Sequence, residues 1–119
     1  DAGREEIAMA ATLAGLADDI AGLPDGYDTR LGQDGVELSA GQKQRLGLAR
    51  AMFFTPDVLI LDESTSALDP ATERRVLDTL LQRHAGAAVL AITHRDSVAA
   101  RMDRILRLDD EPVVEGQAA

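Results

Sequence analysis

Cysteine is absent from the 119 residues, which excludes disulfides and thiolate metal sites and leaves the redox compartment unmarked. Aromatic residues reach only 3%, against 45% apolar residues overall, so a core here must be built from Leu, Ile, Val and Ala. Basic charge is also scarce. The net charge of −9 argues against a nucleic-acid footprint, because phosphate backbones select basic surfaces. A nucleotide ligand remains compatible, since a local loop rather than global charge holds it. No apolar run approaches membrane-spanning length and nothing resembles a signal peptide, so the polypeptide is expected to be soluble by itself. The length suits one domain rather than two.

What is present centres on Val58-Leu59-Ile60-Leu61-Asp62-Glu63, an apolar run that ends in two carboxylates. Preceded by Pro56-Asp57, it predicts a short strand buried on both faces of a sheet. A buried strand ending in paired acids implies a cationic or reacting group there. In open α/β sheets such ends face the ligand crevice.

Around this strand the chain reads in order. Residues 3–14 predict a helix, with Glu5 and Glu6 suited to its positive end and Gly15 closing it. Residues 16–23 predict a second short helix, stopped by Pro24-Asp25-Gly26. Tyr27 to Glu37 reads as loop. Ser39 opens a helix with a capping box to Gln42, running to about Phe54 with Leu46, Ala49 and Phe53 on one face. After the central strand, Ser64 to Leu68 is a polar loop. Asp69 then caps a helix with Pro70 at its first position, carrying an apolar stripe of Val76, Leu77, Leu80 and Leu81 to about His84, with Gly86 closing it. Residues 87–93 predict a second fully buried strand, parallel to and beside the first. Asp96 to Met102 predicts a short helix, and Arg104–Leu108 with Val113–Glu115 an edge hairpin. The first third is helical and the rest α/β, giving two parts, 1–37 and 38–119.

Four stretches carry chemistry. Leu38-Ser39-Ala40-Gly41-Gln42 offers free helix-start amides and a hydroxyl to an anion, though an ordinary capped helix uses the same residues. Asp62 suits a holder of magnesium and Glu63 a group that polarises an attacking water, unless a loop simply begins there. Asp69, in Ser66-Ala67-Leu68-Asp69, is fully explained as a helix cap. His94 follows the second strand and lies beside Asp62 and Glu63 if the strands are neighbours. His84 sits at a helix C-terminus and is assigned no chemistry.

In their order and spacing these stretches resemble the ATP-binding cassette ATPase family, the nucleotide-binding domains of ABC transporters, over nearly the whole chain. Residues 38–42 resemble the family signature motif, with Ala40-Gly41 in place of its pair of glycines. Gln42-Lys43-Gln44-Arg45 and Leu48-Ala49-Arg50-Ala51 resemble the helix behind it. Val58–Asp62 is similar to the Walker B strand, Glu63 to the catalytic glutamate, Ser66–Asp69 to the D-loop and His94 to the switch histidine. Residues 23–32 resemble the helical-subdomain segment of the exporter branch. The resemblance implies a partial P-loop NTPase fold of class α/β: a helical subdomain, then a mostly parallel sheet with flanking helices and a C-terminal hairpin.

It also implies ATP and Mg²⁺ as cofactors. Ser39, Ala40, Gly41, Gln42 and Asp69 would contact nucleotide, Asp62 would hold Mg²⁺, and Glu63 and His94 would be catalytic. The family's phosphate-cradling G-x-x-x-x-G-K-S/T is absent, and the one lysine is Lys43. The adenine-stacking aromatic and the glutamine that senses the γ-phosphate are missing too. Gln33 stands where exporters commonly carry Glu, and the chain stops short of a helix that often follows. The expectation is therefore the C-terminal half of such a domain. It would pair head to tail with a second nucleotide-binding domain, serve a transmembrane domain at the cytoplasmic face of the cell membrane, contact no nucleic acid, and be inactive and prone to oligomerise alone. The competing classes are a non-transport cassette ATPase of DNA repair or chromosome organisation and a non-catalytic regulatory remnant. Intact Glu63 and His94 disfavour the remnant. The Ser64-Thr65-Ser66 loop, Tyr27-Asp28-Thr29 and the acidic balance favour the transporter.

Overall fold

The structure is a computed structural model that describes residues 2–108. Helix α1 (Arg4–Leu13) begins where the Gly3 amide donates to Glu6 Oε2 at 3.0 Å, one of the orphan donors of a helix start. It ends at Gly15, whose φ of +72° lets the Leu16 amide reach back to the Ala11 carbonyl at 2.8 Å. A short α2 (Ala17–Ala21) and a one-turn 3₁₀ segment (Gly26–Asp28) follow. Apart from that turn and an isolated bridge between Leu31 and Val36, the stretch to Ser39 is loop, as its glycines and charges predict.

Helix α3 (Ala40–Ala51) starts with the predicted capping box: Ser39 Oγ accepts from the Gln42 amide at 3.2 Å, and Gln42 Oε1 accepts from the Ser39 amide at 2.9 Å. It stops three residues earlier than expected, and Phe53, past its end and partly exposed, still lines one apolar cavity with Leu46 and Ala49. Strand β1 (Val58–Asp62) leads through a loop to α4 (Pro70–Arg83), then β2 (Ala88–Ile92) and a short α5 (Asp96–Ala99). Hydrogen-bonded turns, rather than helix, continue α5 to Met102.

β1 and β2 pair in parallel with Val58 opposite Ala88 and Asp62 opposite Ile92, so both strands end at one edge. One cluster forms the core: Ala10 and Ala11 from α1 with Ala14 just past its end, Leu48 from α3 with Met52 just past its end, Leu59 and Leu61 from β1, Val76, Leu77 and Leu80 from α4, and Val98 from α5. His84, buried at the end of α4, donates from Nε2 to the Ala51 carbonyl at 2.9 Å and so ties the ends of α4 and α3 together.

Neither strand is buried on both faces. Leu59 and Leu61 enter the core, but Val58, Ile60, Leu90 and Ile92 are 57%, 60%, 54% and 48% exposed. Strand side chains alternate between faces, and among the described residues the helices pack on only one of them. The continuous apolar run therefore marks two apolar faces, not two covered ones. Residues 104–108 take no strand pairing, and Ile105, Leu106 and Leu108 are exposed. The other half of the predicted hairpin, Val113–Glu115, lies outside the described residues.

Candidate functional site

Parallel pairing places the end of β1 beside the end of β2. The ladder continues one step past Asp62, where the Glu63 amide donates to the Ile92 carbonyl at 2.9 Å. There the chain turns sharply. Glu63 has φ +48°, the only non-glycine residue among those described in the left-handed region. A side chain in that conformation costs about 1–2 kcal/mol, and such strain gathers at functional sites. The turn aims the Glu63 carboxylate across to the residue after β2. His94 Nδ1 lies 3.0 Å from Glu63 Oε1, while Glu63 Oε2 is buried with no hydrogen-bond partner among the described residues. An orphaned, buried carboxylate oxygen is an acceptor free to take a donor that the described residues do not supply.

Asp62 ends β1 with an exposed side chain, on the same bare face as Ile60 by strand alternation. Among the described residues no three His, Asp or Glu side chains cluster as a metal cage. Magnesium in nucleotide sites is held by one or two carboxylates plus phosphate oxygens and water, so a single strand-end carboxylate is the kind of ligand it takes.

The predicted signature stretch lies at the exposed start of α3. Ser39 and Ala40 are open to solvent. Gln42 uses both ends of its amide internally, Oε1 on the Ser39 amide and Nε2 on Asp19 Oδ1 at 2.9 Å. A β-carbon at Gly41 would sit 3.4 Å from the Ala67 methyl, so this turn lies against the loop after β1 with room for little more than a close van der Waals contact. Asp69 is a helix cap in full: its oxygens accept from the amides of Ala71 and Thr72 and from the Thr72 hydroxyl at 2.6 Å. The Thr72 hydroxyl, then its amide, hold the Asp69 carboxyl below the usual carboxylate range.

Sequence reasoning passed over four residues that organise this edge. Gln44 of α3 binds the loop at Glu63, Ser66 and Ala67. Arg95 Nη1 donates to the Thr65 carbonyl at 2.7 Å and to Glu73 Oε2 at 2.5 Å, and Ser97 Oγ donates to the other Glu73 oxygen. Glu73 is buried, and these hydrogen bonds replace the water its carboxyl oxygens lose on burial. A signal existed in each helix. Glu73 shares the i, i+3, i+4, i+7 stripe of Val76, Leu77 and Leu80, and Gln44 shares the i, i+4, i+8 line of Leu48 and Met52. A polar residue on an apolar stripe is a buried polar contact in waiting.

The architecture agrees with that of known proteins. The family model described as "ABC transporter" matches residues 5–66. The chain is 47% identical over 110 residues to the ABC-type transporter atr1 of Mycosarcoma maydis, covering 92% of this chain and 8% of that protein. It is 46% identical over 112 residues to the ATP-dependent lipid A-core flippase of Photobacterium profundum, covering 94% of this chain and 19% of that protein. Among solved structures, a bacterial Atm1-family ABC exporter with ATP bound is similar at a TM-score of 0.67 and 43% identity, over 86% of this chain and 18% of that one. The chain thus spans a fifth or less of the length of these relatives. The parallel pair of strands with its flanking helices is a partial P-loop NTPase fold. By its matched residues and its relatives, the chain belongs to the ABC transporter family.

Proposed function

We propose that this chain is the C-terminal part of an ATP-hydrolysing domain in an exporter-type ABC transporter, and that it supplies the water-polarising side of a nucleotide site completed by other polypeptide segments. The observation that carries the reading is the Glu63–His94 contact of 3.0 Å at the shared strand edge, with Glu63 Oε2 left unpartnered among the described residues. Glu63 accepts a hydrogen bond from the attacking water, and His94 stabilises charge on the transferring phosphoryl group. Asp62 holds Mg²⁺, which when bound neutralises phosphate charge. Ser39, Ala40 and Gly41, at the exposed start of α3, cover the nucleotide of a second domain paired head to tail. Gln42 supports that turn through its capping contacts, while Asp69 caps the start of α4 at the end of the loop after β1. These roles are positional and electrostatic, as phosphoryl transfer demands.

The relatives' membrane roles support a transmembrane partner and a place at the cytoplasmic membrane face. No helix among the described residues is long and apolar enough to cross a membrane. Residues 1–37 fall to the helical subdomain and 38–119 to the ATPase core, the former carrying the contact toward the membrane partner. Because the 119 residues contain no phosphate-cradling motif, the chain alone should neither bind Mg-ATP tightly nor turn it over. In a full-length protein carrying this chain, Glu63→Gln should abolish steady-state hydrolysis while nucleotide binding persists. Glu63-dependent turnover by the purified chain, or full turnover by the Gln variant, overturns the reading.

A further inference from the structure

We propose that Gln44 is a positioning residue that sets the Glu63 backbone, and through it the Glu63–His94 pair; this rests on the role given to Glu63 above. The Gln44 amide is saturated. Its Nε2 donates to the Glu63 carbonyl at 2.8 Å and to Ser66 Oγ at 2.9 Å. Its Oε1 accepts from the Ala67 amide at 2.9 Å and from the Ser66 hydroxyl at 3.1 Å. Two donor hydrogens and two acceptor lone pairs thus all meet the loop after β1. The reverse orientation would set oxygen against the Glu63 carbonyl and nitrogen against the Ala67 N–H, so the network admits one.

The consequence falls on the residue with positive φ. A non-glycine side chain stays in the left-handed region only where its surroundings over-determine it. Glu63 is held at both backbone groups: its N–H by Ile92 of β2, its carbonyl by Gln44 of α3, with the Ser66 amide also on that carbonyl at 3.2 Å. Anchored to a strand on one side and a helix on the other, the Cα–Cβ bond points the carboxylate at His94. Gln44 touches neither His94 nor the carboxylate; it acts through the peptide group.

The test uses two variants of the 119-residue chain and of a full-length protein carrying it. Gln44→Ala removes the whole clamp. Gln44→Glu keeps an acceptor for the Ala67 amide and the Ser66 hydroxyl but has no hydrogen for the Glu63 carbonyl, and it serves if the Ala variant does not fold. In the chain, the ¹⁵N resonance of His94 Nδ1, which reports its hydrogen bond to Glu63, should move in both variants. In the full-length protein kcat for ATP should fall on the order of 100-fold with KM little changed, the scale of an ångström of misplacement. An unmoved His94 resonance in the folded variants overturns the proposal, as does wild-type kcat for them in a protein that Glu63→Gln inactivates. Should Glu63→Gln leave turnover intact, the role of Glu63 fails, while the resonance still judges Gln44.

Discussion

At Asp69 a single side chain does local work whose sign with pH can be derived. Hydrogen bonds from the Thr72 hydroxyl and amide hold its carboxyl below the ordinary value of 3.8, so the folded chain binds that proton less readily than the unfolded one. The stabilisation is present above the unfolded value and is lost as pH falls through the lowered folded one. The stability gap between wild type and Asp69→Asn should therefore be widest near neutrality and close in acid, as urea titrations at a series of pH values would show. A gap that widens in acid contradicts the assignment. Glu63 invites a different experiment, because its cost is conformational. Glu63→Asn and Glu63→Val both delete the carboxylate, but Asn tolerates the left-handed region and a β-branched residue does not. The Val variant should be the less stable by on the order of 1 kcal/mol. Equal midpoints in denaturant would mean that the positive φ relaxes at no cost.

On the scale of elements, α4 and β2 make opposite claims about burial. Leu80 is fully buried in the core cluster, whereas Leu90 sits on the open face of β2, opposite Ile60. Leu80→Ala should cost about 2–5 kcal/mol, transfer and cavity terms together. Leu90→Ala in the isolated chain should cost less than about 1 kcal/mol, near the range of surface substitutions. Chemical denaturation of the two variants makes the comparison, and a similar loss at both positions would mean that the second face is covered. The helix starts were legible because their chemistry is local: Ser39 with Gln42, and Asp69 with Pro70, announce themselves within four residues. The early end of α3 was not, and there the Ala51 carbonyl accepts from His84, 33 positions away.

For the molecule as a whole, the bare sheet face has a physical consequence. Val58, Ile60, Leu90 and Ile92 form a contiguous apolar surface beside two unpaired strand edges among the described residues, the kind of surface that recruits another chain. The purified 119-residue chain should self-associate with rising concentration in light scattering, and Ile60→Lys should weaken that association. A concentration-independent monomer would rule it out. The strand order, the parallel pairing and the meeting of Glu63 with His94 were all readable in advance. Consecutive strands joined through one helix are commonly neighbours, and both residues stand one or two positions past their strands.

The sequence by itself determined the periodic elements and their caps, which follow from residues near one another in the chain, and the placement of an acidic pair and an imidazole at one sheet edge, which follows from the crossover between consecutive strands. Only the tertiary structure decided which strand face is covered, that Glu63 adopts a left-handed backbone, and that Gln44 and the Arg95–Glu73 pair hold the loop between. Those outcomes depend on groups 19 to 22 residues apart, Gln44 with Glu63 and Arg95 with Glu73. Polar contacts at such separations leave little local trace, since the chain must first fold to bring the partners within hydrogen-bonding reach.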